Sequence, residues 1–262
     1  MLGLGNSLIT GGVVSGIAIA PDSITGLDLW LKFNTDIVGA AGGASNDGDM
    51  ANGEDINSWA DQSGNDRHAS QTTASKKPHW DTTTADLGGL RWPDDEADTS
   101  LNMASNVSIG ANVDFTVMIR VKLTDFTTDM ALIGSAAKHL IKWTDNARVG
   151  VFIGGNNPIA AFEETGGDVI ATNQYYIHTL TRSNGSTGNL DYRVHGGSFD
   201  DKSWDAAEDL KDTDSFIINN IGVGNDNTLP CEGVFKDVII WKGTALTDAQ
   251  RQGVVAYIEA QT

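Results

Sequence analysis

Apolar and polar residues alternate with a period of two along most of this chain. Leu27, Leu29, Leu31 and Phe33 interleave with Asp28, Trp30 and Lys32, which predicts a strand with one buried face. The clearest alternation is Phe115, Val117, Ile119, Val121 and Leu123, with Thr116, Met118, Arg120 and Lys122 on the other face. Val149, Val151 and Ile153 predict a further strand, stopped by Gly154-Gly155. Residues 175–182 and 190–195 predict two strands around Ser183-Asn184-Gly185-Ser186-Thr187-Gly188, a turn by composition. Residues 216–223 and 234–241 complete the set, and residues 34–58 form a long polar stretch rich in Gly, Asn and Asp. The period changes only near the end. Thr247 stands three residues before Gln250, the spacing of a capping box, and Val254, Val255 and Ile258 fall on one helical face. Many strands, glycine-rich turns and one short helix predict an all-β sandwich. No repeat, low-complexity block or Pro-rich linker divides it, so residues 25–262 are expected to fold as one domain.

The opening segment departs from this pattern. MLGLGNSLITGGVVSGIAIAP carries no charge, and the first charged residue is Asp22. Each large aliphatic side chain gains roughly 1.5–3 kcal/mol on full burial. Leu2, Leu4, Leu8, Ile9, Val13, Val14, Ile17 and Ile19 are therefore expected to bury against a partner, with residues 1–24 acting as a docking arm. Five glycines among the first sixteen residues dilute the run below what a membrane span needs, and no Lys or Arg flanks it. Ala18-Ile19-Ala20 looks like a signal-peptide cleavage site, but the basic segment that should precede it is missing. The competing expectation is that the arm folds back on its own domain. A chain of 262 residues has enough core of its own, which favours the partner.

Charge narrows the partners. Acidic residues outnumber basic ones by 35 to 17, for a net charge of −18 and an isoelectric point near 4.4. That sign excludes nucleic-acid backbones and anionic membrane surfaces. The single cysteine, Cys231, excludes an intramolecular disulfide and a cysteine zinc cluster, and is expected to be a small half-buried side chain.

Two stretches carry a family resemblance. Residues 56–80, INSWADQSGNDRHASQTTASKKPHW, contain Trp59, Asp61, Ser63, Gly64, Asn65, Ala69, Lys76 or Lys77, Pro78 and Trp80. This order resembles a W-x-D-x-S-G-N-x-x-x-A segment followed by K-x-P-x-W in concanavalin A-like lectin/glucanase jelly rolls of the LamG-like group. Residues 232–258, EGVFKDVIIWKGTALTDAQRQGVVAYI, are similar to that group's last strand and short helix. The resemblance spans residues 25–262 and implies a concanavalin A-like jelly-roll sandwich with an extended N-terminal arm and a short C-terminal helix. The MLGLGNSLITGG opening resembles the start of structural proteins in tailed bacteriophages of marine bacteria. It implies a virion component displayed on the particle exterior, as a capsid decoration or a tail appendage.

The first motif also has a physical reading. Asp61, Ser63 and Asn65 can bond nearby backbone N–H groups and pin a turn, with Gly64 supplying a positive φ. Trp59 and Trp80 are expected to lie beneath it, the alternative being a sugar platform of Trp and Asn side chains. Paired catalytic carboxylates are not evident. Glu163 and Glu164 are neighbours that a strand would turn to opposite faces, and Asp94-Asp95-Glu96 follows Pro93 as a loop. His68, His79, His139, His178 and His195 show no metal spacing. A non-enzymatic chain without a cofactor is expected. Calcium is the one candidate ion, at Asn46, Asp47, Asp49, Asn52, Glu54 and Asp55, although the loop departs from the EF-hand pattern. The expected function is a phage structural protein anchored by its arm to capsid or tail subunits, forming a homo-oligomer. The alternative is an adhesin recognising host glycans.

Overall fold

The computed structural model describes residues 17–42, 50–82, 88–93, 99–126, 129–135, 140–145, 148–152, 160–197, 199–206, 214–222 and 231–261. They form two antiparallel sheets of a β-sandwich and one C-terminal helix, as the all-β prediction requires. In the first sheet β17 (Gly233–Lys242) is central. It pairs on one side with β8 (Phe115–Leu123), and on the other with β1 (Leu27–Leu31) and β6 (Gly89–Trp92). Beyond β8 come β13 (Tyr175–Ser183) and β14 (Asn189–Gly196), and β5 (His79–Asp81) pairs with β6. The second sheet runs β2 (Ile37–Gly39), β3 (Ile56–Trp59), β4 (Ala69–Ser70), β7 (Leu101–Ile109), β16 (Phe216–Ile221), β9 (Met130–Gly134), β10 (Leu140–Asp145), β11 (Arg148–Phe152) and β12 (Ala160–Glu163). The strand β15 (Phe199–Ala206) pairs with β14 through its first part and with β12 through Asp205 and Ala206. One long strand thus closes that side of the sandwich and covers two sheet edges.

The inner faces build one core from residues such as Trp59, Trp92, Phe115, Val121, Trp143, Tyr192 and Phe235. The outer face of the first sheet is also covered. The helix α1 (Asp248–Glu259) lays Val254, Val255 and Ile258 on Trp30, Met118, Ile177, Ile239 and Trp241. Its N-terminus is fixed by the capping box read from Thr247 and Gln250. This second layer corrects the one-faced reading of β1 and β8. All nine residues of β8 are buried, and Trp30 is buried with its neighbours. Residues 34–58 are corrected as well, because they contain β2 and all but the last residue of β3, two short strands whose pairing carries a register shift. Ile153, Gly154, Gly155 and Val223, expected in or beside strands, lie outside the described residues.

A β-bulge in β17 explains an unusual cluster. The register slips between Phe235 and Asp237, so Phe235 and Val238 both stay in the core while Asp237 sits opposite Arg120 on the other face. The ammonium of Lys236 lies 4.4 Å from the ring centre of Tyr175 and 4.6 Å from that of Phe33. Asp237 accepts from the Phe33 N–H at 3.2 Å and is fully shielded. Burial pushes its carboxyl up to about 6, against the pull of the Phe33 N–H, Arg120, Lys236 and Lys32. The ordinary value near 3.8 holds in the unfolded chain, so the folded state binds this proton more tightly. Its contribution to stability is fully present below pH 4 and is lost as pH rises through 6. Asp237→Asn is therefore expected to gain stability on the wild type between pH 4 and pH 7 in urea titrations. A difference that stays flat with pH would contradict this assignment.

Candidate functional site

All seven tryptophans are buried, at relative exposures from 0% to 6%. None offers a face to a sugar ring, so the Trp-and-Asn platform fails on its Trp half. Trp59 instead donates its indole N–H to the Lys32 carbonyl at 2.8 Å. Above it Asp61 collects the N–H groups of Trp30 (2.9 Å), Ser63 (2.9 Å) and Arg67 (3.1 Å), and the Ser63 hydroxyl at 2.8 Å. Asn65 donates to the carbonyls of Leu27 and Asp28, and Gly64 takes φ +85°. The motif is a staple that joins a turn to β1.

The charged candidates are engaged within the chain. Glu163 pairs with Arg148, and Glu164 pairs with Lys202, which also reaches Asp168 at 3.4 Å. The Lys202 hydrogen bond holds the Glu164 carboxyl below its usual range. Around the proposed calcium loop, Glu54 accepts from the N–H groups of Ala41 (3.0 Å) and Ala51 (3.2 Å). Asn52 accepts from Thr82 at 2.9 Å, and Asp55 lies 3.2 Å from His79. Asn46, Asp47, Asp49, Asp94, Asp95, Glu96 and His139 lie outside the described residues. Among the described residues no group of three or more His, Cys, Asp or Glu side chains is placed to hold a metal ion. His68 accepts from the Asp61 N–H at 3.0 Å, and His195 lies 3.1 Å from Glu259. His178 is buried among Trp143, Tyr176 and Tyr192, and burial lowers its pKa to about 3. Burial likewise raises the Cys231 thiol, which keeps it protonated and unreactive.

The described end of the N-terminal segment lies on its own chain. The Ile19 N–H donates to the Gly253 carbonyl at 2.8 Å, and Ile19 packs against the helix-covered cluster. The Trp241 indole donates to the Pro21 carbonyl at 3.3 Å, and Ile24 is buried. A Cβ at Gly253 would stand 2.5 Å from the Ile19 side chain, so the glycine makes room for the crossing segment. Ile17 is 89% exposed, and Leu2, Leu4, Leu8, Ile9, Val13 and Val14 lie outside the described residues. Gly253→Leu raises helix propensity but fills the seat. It is expected to abolish hydrogen-exchange protection at the Ile19 amide while leaving the rest of the helix protected. Unchanged protection at Ile19 would show that the seat does not hold the segment.

The remaining open feature is the outer face of the second sheet. Its five adjacent strands β2, β3, β4, β7 and β16 contain no charged residue, in a chain that is 20% charged, whereas the next strand, β9, is buried on both faces. Ser58 stands opposite Ser70, Ser70 opposite Asn102, and Asn102 opposite Asn220. These four side chains form one row across four strands, with Asn220 donating to the Asn102 amide oxygen at 3.0 Å. The Oδ1 atom of Asn220 is shielded from solvent and has no partner among the described residues. Toward β12 the face turns charged, with Lys142 paired to Asp129 and Arg148 to Glu163.

The chain matches no known family model and no curated protein sequence. Its fold resembles domain 4 of an extracellular GH43 arabinanase from Geobacillus stearothermophilus, solved in complex with arabinotriose. The TM-score is 0.52 at 15% identity, covering 88% of this chain and 98% of that one. It also resembles Trypanosoma rangeli sialidase in complex with the inhibitor DANA, at a TM-score of 0.52 and 11% identity. That match covers 94% of this chain but 35% of the sialidase, so the chain spans about a third of that enzyme. These likenesses establish the sandwich fold. They also overturn the expectation of a non-enzymatic chain, since the same sandwich recurs within an arabinanase and a sialidase and so does not set this chain apart from enzymes. At 11–15% identity, no activity passes from those proteins to this chain.

Proposed function

We propose that this chain is a carbohydrate-recognition sandwich. The observation that carries the proposal is a row of amide and hydroxyl side chains across strands that hold no charged residue of their own, in an otherwise acidic protein. The likeness to an arabinanase domain that holds arabinotriose, over nearly the whole of both chains, supports it. The test is a glycan array probed with the full chain at physiological salt. Saturable binding to one or more polysaccharides is expected. Absence of binding across plant, algal and bacterial polysaccharides would refute the proposal.

A second proposal concerns assembly. The segment 17–24 is fixed to the body at Gly253 and Trp241, and it is continuous with sixteen uncharged residues rich in Leu, Ile and Val. Such a segment suits a docking arm, which would mount the sandwich on the exterior of a phage particle, against capsid or tail subunits. Both roles are compatible on one particle. Removing residues 1–16 should leave a folded, soluble body that no longer joins particles. Incorporation of the truncated chain at the normal level would remove the arm's role.

A further inference from the structure

We infer that the row Ser58, Ser70, Asn102 and Asn220 is the contact line for the glycan, and that the glycan is electroneutral. This deepens the carbohydrate-recognition proposal and rests on it.

The electrostatics select the ligand class. The chain carries a net charge of −18, so its long-range field disfavours a uronate- or sialate-bearing polymer. That field exerts no net force on a neutral polyol, and the row itself holds no ion that the polyol would have to desolvate. The row itself supplies the chemistry. Neighbouring strands lie about 4.8 Å apart, so four side chains in register span about 14 Å, the length of a short oligosaccharide. Each Asn offers two donors and an acceptor, and each Ser a donor and an acceptor. Sugar hydroxyls, which both donate and accept, are their natural complement. The hydrogen bond from Asn220 to Asn102 fixes both amides before the ligand arrives and leaves the amide donors of the exposed Asn102 to the ligand, while the Asn220 Oδ1 atom is shielded from solvent. With every tryptophan buried, recognition depends on these hydrogen bonds rather than on ring stacking.

A second copy of the chain fits the face less well. Interface cores are enriched in aromatic and other apolar side chains. The large hydrophobic residue exposed on these strands is Val38, at 37%.

The test measures binding of the full chain to neutral arabinan, xylan and β-glucan, and to polygalacturonate and alginate, by calorimetry or affinity electrophoresis. The wild type is expected to bind a neutral polymer and neither acidic one, with little dependence on salt. Asn102→Asp and Asn220→Asp together should weaken that binding about tenfold or more, since amide donors are lost and charge is added. Ser70→Lys, at an exposed position, should block it independently of any effect on folding. Glu163→Gln, at the charged end of the same sheet, should leave it unchanged. Neutral-glycan binding that survives both face variants would overturn the contact line while leaving carbohydrate recognition standing. Binding of the acidic polymers alone would overturn the ligand class. No binding to any polymer would overturn recognition itself. A wild-type dimer that Ser70→Lys dissociates in sedimentation, without any glycan binding, would assign the face to self-association.

Discussion

Replacing Arg182 with Met is expected to lower the free energy of unfolding by about 3–5 kcal/mol, because a buried guanidinium loses charge-assisted hydrogen bonds to three carbonyls at once. The side chain is fully buried at the end of β13. Its guanidinium donates to the Val113 carbonyl at 2.9 and 2.7 Å, to Gly110 at 2.8 Å and to Asp214 at 2.6 Å. It also lies 5.1 Å from the Phe115 ring centre and 5.9 Å from that of Phe216. One planar cation therefore ties the loop before β8 and the residues before β16 to the end of the core. Methionine preserves the apolar stem but leaves the three carbonyls without these donors. Lysine should rescue little, since a single ammonium cannot reach partners spread across a fork. Urea unfolding should show a lower midpoint with an unchanged slope. A loss below about 1 kcal/mol would mean that water or neighbouring groups satisfy those carbonyls.

Asp61→Ala is the second large effect, expected at about 3 kcal/mol. The substitution strips four hydrogen bonds from one carboxylate, three of them donated by backbone N–H groups of β1 and the turn. Asp61 also forms a bridge with Leu31, so the change loosens the contact between β1 and the segment leading from β3. Hydrogen exchange should localise the damage. The amides of Trp30, Ser63 and Arg67 should lose protection well before those of β8 and β13. Asn at this position keeps one acceptor and should recover part of the loss. A variant within about 0.5 kcal/mol of the wild type would show that the staple is dispensable.

The sequence was most legible where one segment carried its own signal. The alternation in β8 and β13 and the Thr247–Gln250 cap each depend on residues close in the chain, and each element stands where its pattern put it. The turn chemistry of Asp61, Ser63, Gly64 and Asn65 was legible for the same reason. Exposure was less so. Thr116, Met118, Arg120 and Lys122 look like a wet face until distant parts of the chain cover them: the helix over Met118 and Arg120, the segment before it at Thr116, and the Tyr175 ring at Lys122. Short strands such as β2, β3 and β4 carry too few residues to show a period.

The candidate binding face was invisible for a further reason. Ser58, Ser70, Asn102 and Asn220 are polar residues of the kind that mark loops, and they come from four separated segments. Only the strand register aligns them. Ile19 shows a related limit. Its apolar character announces burial, but the identity of its neighbour depends on a glycine in a distant helix.

Two-dimensional NMR of the side-chain amide groups during titration with the neutral polysaccharide that binds tests the central claim most directly. The account predicts that the NH2 signals of Asn102 and Asn220 shift saturably, with neighbouring shifts confined to the outer face of β3, β4, β7 and β16. Shifts centred on the helix, on the first sheet or on the turn at Asp61, with Asn102 and Asn220 unmoved, would contradict it.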